Sequence, residues 1–184
     1  MKPELIMIAL VPLFVIACTN QRANDSGQKS SGPAELTVKS SAFKQGEPIP
    51  KKYTQEGENA SLPLSWSGAP EGVEGYAIIM DDPDAPTDKP YVHWVVYKIP
   101  PETTSLAEGD AGEAVEGRNS QGRPGYIGPM PPKGHGVHHY HIKVYALDEP
   151  VELYDNAGKN ELLVSMEMDD RIVAKGELVG TYER

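Results

Sequence analysis

Cysteine occurs once in the 184-residue sequence, at Cys18, so no disulfide can form within the chain. Aromatic residues are scarce at 7%, whereas Pro and Gly number 17 and 18. That balance disfavours a helical bundle and predicts a loop-rich fold. Basic residues are also in short supply: 17 Lys and Arg stand against 27 Asp and Glu, a formal net charge of −10. An acidic surface repels phosphodiester backbones and anionic lipid, which argues against nucleic acid as a partner. No Gly-x-Ser-x-Gly element is present, so the usual serine nucleophile turn of a hydrolase is missing. What remains, 39% hydrophobic and 24% charged residues, suits one globular domain with a sizeable core.

The uninterrupted apolar run Leu5–Ala17 follows a single early positive charge at Lys2. It is shorter than the ~20 residues of a spanning helix and has the character of a signal-peptide core. It ends in Val15-Ile16-Ala17-Cys18, which resembles a bacterial lipobox. The expected layout is a lipoprotein signal peptide over 1–17, a lipid-modified Cys18 opening a polar tether over 18–33, and a folded domain over 34–184. Acyl chains on Cys18 would anchor the domain to a membrane outside the cytoplasm. Thr19 stands where an Asp would favour inner-membrane retention, so the outer membrane is expected where two membranes exist.

Within the domain, alternation at Leu36 and Val38 and the apolar stretches Leu62–Trp66, Tyr76–Met80, Tyr91–Ile99, His138–Leu147 and Lys175–Tyr182 predict strands. Leu162, Leu163, Met166, Ile172 and Val173 are spaced for an amphipathic helix over 160–174. Residues 102–125 are polar and Gly-rich and read as a surface excursion. The class is mainly β with peripheral helix.

Three clusters can carry chemistry. Asp82-Pro-Asp-Ala-Pro86 groups carboxylates, yet Thr87 and His93 fall where an EF-hand would need Gly and Glu. His93 precedes Trp94 inside a strand. Gly125-Tyr-Ile-Gly-Pro-Met-Pro-Pro-Lys-Gly-His-Gly-Val-His-His-Tyr140 exposes backbone amides on a rigid frame, a recurrent way to bind anions. His135, His138, His139 and His141 also invite a metal reading, but strand alternation divides them between two faces.

Taken in order, these segments resemble the phosphatidylethanolamine-binding protein family, which includes Raf-kinase-inhibitor-like proteins. Ser61–Trp66 and Leu178–Tyr182 extend the resemblance over roughly residues 35–184. It implies a large antiparallel sheet beside a smaller one with peripheral helices, and a shallow pocket for phosphate or carboxylate groups. Carried over by position, the ligand-binding residues are Asp82, His93, Gly128, His138 and Tyr140, with Asp82 facing His93 and the amides of the Gly128 loop lining the pocket. Met130 stands where many relatives carry a small residue, which would narrow the mouth. His139 replaces the family's Arg, and alternation turns it away from the pocket together with His141.

The expected chemistry is a carboxylate that holds a histidine in one tautomer and raises its pKa, so that its free nitrogen donates to an anion. Binding would then weaken as pH rises through the histidine range. No cofactor or metal is called for. The expectation is a non-catalytic binding domain for a small anionic ligand or phosphorylated group, regulating a protein partner whose identity the sequence does not give. An inhibitor of a secreted protease and a hydrolase using Asp82, His93 and His138 are the alternatives.

Overall fold

A computed structural model describes residues 32–168 and 170–184. The expected signal peptide, Cys18 and nearly all of the tether lie outside the described residues. Two sheets make up the fold. The larger has the order β1-β9-β8-β4-β5-β7 and the smaller β2-β3-β6. The larger sheet comprises β1 (Ala34–Glu35), β4 (Gly75–Asp82), β5 (Tyr91–Ile99), β7 (Val115–Glu116), β8 (His138–Leu147) and β9 (Ile172–Tyr182). The smaller comprises β2 (Thr37–Ser40), β3 (Leu64–Ser67) and β6 (Ser105–Leu106). All pairings are antiparallel except β1 on β9.

The central strand β4 is buried along its whole length, because the large sheet is covered on both faces. Alternate residues serve two cores. Tyr76, Ile78 and Met80 join Trp94, Tyr140 and Ile142 against the small sheet, where Leu64 and Trp66 meet them. Ala77 and Ile79 join Val95, Tyr97 and Leu147 against Leu162 and Met166 of α1 (Lys159–Glu167). Each large apolar side chain withdrawn from water in this way contributes about 1.5–3 kcal/mol.

Strands Tyr91–Ile99 and His138–Leu147 have the expected bounds. The helix is shorter than its spacing predicts. Asp170 takes φ 53 and the Arg171 amide closes back on the Met166 carbonyl at 3.2 Å. Ile172 and Ala174 then pair with Leu147 and with Ala34 and Ala146 as the start of β9. The contiguous β-prone Ile-Val pair had supplied false helical periodicity. The excursion over 102–125 contains the short strands β6 and β7.

Two irregularities interrupt the β4–β5 ladder. Met80 pairs with Trp94 and Asp81 with Val92, which leaves His93 as the extra residue of a bulge. His93 therefore reaches the Tyr140 ring, with centroids 5.1 Å apart, although its neighbour Trp94 packs into the same core.

Candidate functional site

The end of β4 splits two consecutive carboxylates between the faces of the sheet. Asp81 turns toward α1 and pairs with Lys143 at 3.1 Å and with Lys159. Asp82 turns the other way and is itself buried. Its Oδ1 accepts the Asp84 amide at 2.8 Å, which tightens the proline-stiffened turn, and its Oδ2 lies 2.7 Å from Nδ1 of His138. Asp82, His93, His138 and Tyr140 all line one cavity of about 250 Å³. Gln55, Thr87, Tyr91 and Pro131 also line it, together with Met130, which is 46% exposed.

The carboxylate partner differs from the one expected. Asp82 holds His138, not His93. His93 instead directs Nδ1 at the Ile127 carbonyl, 2.6 Å away. A carbonyl only accepts, so Nδ1 carries the proton and Nε2 of the neutral ring is a bare acceptor. Burial pushes the His93 pKa down, outweighing the Ile127 hydrogen bond and the nearby Asp82. In place of the expected carboxylate-raised histidine, His93 is held by a backbone carbonyl and burial favours its neutral form. His138 has both nitrogens engaged, since Nε2 meets Nδ1 of His135 at 2.8 Å.

Gly128 also departs from expectation. Its amide donates to Asn59 Oδ1 at 2.8 Å and its carbonyl accepts from Gln55 Nε2 at 2.9 Å, so neither faces the cavity. A Cβ on Gly128 would collide with the Tyr53 carbonyl and come 2.8 Å from Asn59 Oδ1 and Thr54 Cα. Glycine is needed there for close backbone packing, which seats residues 129–132 as a cavity wall.

Tyr140 presents the clearest unmet demand. It is fully buried, it lines the cavity, and its hydroxyl has no hydrogen-bond partner among the described residues. Burial pushes its phenol far above the ordinary range, so it remains a donor. On the opposite face of β8, His139 bonds Asp84 at 2.7 Å and His141 bonds Glu177 at 2.9 Å. They point away from the cavity, as alternation requires. Among the described residues no three His, Cys, Asp or Glu are grouped to hold a metal ion.

Sequence reasoning did not single out Gln55, Tyr91 or His135 as part of this site. Tyr91 was findable, two residues before His93 on one strand. Gln55 comes from a turn-rich segment with no pattern that places it.

Residues 39–183 match the family model for the phosphatidylethanolamine-binding protein. A UPF0098 protein of Pyrococcus horikoshii is 42% identical over 98% of this chain and 90% of its own length. Among solved structures, a phosphatidylethanolamine-binding protein homologue of Chlamydia trachomatis is 40% identical with a TM-score of 0.75, covering 84% of this chain and 99% of its own. YbcL of Escherichia coli, described as a member of the mammalian family, is 37% identical with a TM-score of 0.73, over 82% and 99%. The two-sheet fold, the order of motifs and these likenesses together make the chain a member of the phosphatidylethanolamine-binding protein family.

Proposed function

We propose that this protein is an anion-binding domain of a bacterial envelope lipoprotein, taking a phosphate or carboxylate group into the Asp82–His138 cavity and acting through binding, not turnover. The observation that carries this reading is the buried Tyr140 hydroxyl, which has no partner among the described residues and belongs to a side chain that lines the cavity. A buried hydroxyl left unpaired costs about 1–3 kcal/mol, and an oxyanion removes that cost by accepting from it. The Asp82–His138 pair fixes a neighbouring part of the lining.

Calorimetric titration of inorganic phosphate near pH 6 tests the proposal. One site is expected, weakened roughly tenfold or more by Tyr140→Phe, which deletes the donor and leaves the ring in place. Unchanged affinity in both Tyr140→Phe and Asp82→Asn would remove the cavity from consideration. Turnover of phosphoesters by the wild type, lost in His93→Ala, would replace binding with the hydrolase alternative.

A further inference from the structure

We infer that His135 and His138 form a two-histidine site for a divalent late first-row transition ion, copper(II) or zinc. The inference stands apart from the anion reading, since it uses neither Tyr140 nor His93. The structure sorts His135, His138, His139 and His141 into two pairs, and only one of them converges. His139 is held by Asp84, just past β4, and His141 by Glu177 on β9. Strand β8 lies between β4 and β9, so these two rings are drawn toward opposite neighbours. His135 Nδ1 and His138 Nε2, in contrast, stand 2.8 Å apart, with ring centroids at 5.0 Å and planes tilted by 56°.

One proton occupies that gap, because two imidazole nitrogens at this distance are a donor and an acceptor. His138 donates from Nδ1 to Asp82, which leaves its Nε2 lone pair to accept from His135. A metal ion can take the place of the shared proton. Nitrogens bound to one zinc ion at about 2.0–2.1 Å stand about 3.0–3.4 Å apart, so the gap need widen only slightly. His135 then adopts its other tautomer, the proton passing from Nδ1 to Nε2 through water. Both rings stay neutral and the ion keeps its charge.

The two ligands are unequal in a way that suits capture. His138 is buried, and its Nδ1 is fixed by Asp82, whose other oxygen accepts the Asp84 amide. Metal-binding histidines typically donate their second N–H to a carboxylate in this manner, which orients the ring and strengthens it as a ligand. His135 is exposed, on a turn closed by its amide on the Pro132 carbonyl at 3.2 Å. Gly134 at φ 73 and Gly136 at φ 90 flank it in open space. Its ring is the part that swings to admit the ion.

Two imidazoles also set the class of ion. Calcium and magnesium take oxygen ligands, whereas imidazole suits zinc and copper, with copper(II) the tighter of the two. No third His, Cys, Asp or Glu joins the pair among the described residues, so water fills the remaining positions.

Calorimetry of the full chain with copper(II) and zinc chlorides, in buffer free of phosphate and chelators, tests this. One ion per chain is expected, with copper(II) bound more tightly. His135→Gln should weaken binding roughly tenfold or more, and Asp82→Asn, which keeps both ligands, roughly tenfold to a hundredfold. The double variant His139→Gln/His141→Gln should bind like the wild type. Nitrogen-15 NMR of the zinc complex reads the ligands without any variant, and should show metal on His135 Nδ1 and His138 Nε2. If no ion binds, the pair is a hydrogen bond alone and the inference is overturned. Undiminished binding by His135→Gln, or metal on His139 and His141 in its place, overturns it equally. Phosphate binding by the metal-free chain is a separate measurement, so either reading can fail alone.

Discussion

At the scale of single residues, the site depends on two histidines held in opposite ways. His138 donates a hydrogen bond to a carboxylate and His93 donates one to a carbonyl. The second arrangement has a consequence for stability. Burial holds the folded-state pKa of His93 below the ordinary 6.5. Below about pH 6.5 the unfolded chain takes up a proton that the native chain refuses, so this contribution is full above that pH and lost as pH falls toward the depressed value. Urea midpoints measured from about pH 7.5 to about pH 5 should drop for the wild type and drop less for His93→Gln. Equal slopes would mean that His93 is not a buried neutral group. Asp82→Ala is expected to cost about 1–3 kcal/mol, because it strips partners from both His138 Nδ1 and the Asp84 amide. Chemical denaturation at neutral pH reads this directly. The order of motifs made Asp82, His93, His138 and Tyr140 legible in the sequence. Their partners were not, because Ile127 and His135 reach the histidines through loop paths that no local pattern encodes.

At the scale of elements, the strands were legible because uninterrupted β-prone runs such as Tyr91–Ile99 are long and end at prolines. The bulge at His93 was not, since a register shift depends on how two strands twist together. The helix end is hidden for a related reason: five apolar residues fit the helical period, yet Ile172 and Ala174 pair in the ladder as the start of β9. The Gly128 loop was legible as part of the site but not in its role. Gly128 packs its backbone tightly against residues 53–59, and its own amide is already bound to Asn59. Gly128→Ala should therefore destabilise the fold by about 1–3 kcal/mol through overpacking. It should also weaken phosphate binding by shifting the wall over 129–132, although no ligand contact is deleted. A variant as stable as the wild type would show that the close approach to Tyr53 is not required.

At the scale of the whole molecule, the described residues form two sheets that with α1 enclose two cores, and the cavity opens where β4, β5 and β8 reach the end of the larger sheet. The proposed anchor at Cys18 would present that cavity outside the cytoplasm. Expressed in a lipoprotein-processing bacterium, the full chain should partition into detergent and carry an acyl mass increment that Cys18→Ser abolishes. A full chain that stays aqueous and unmodified would remove the anchor without touching the cavity. The central claim is that the cavity binds a phosphate group at Tyr140, and a crystal structure with inorganic phosphate tests it most directly. The account predicts phosphorus in the cavity, with one oxygen within hydrogen-bond distance of the Tyr140 hydroxyl. Phosphate absent from the cavity at saturating concentration, or bound without touching that hydroxyl, would contradict it.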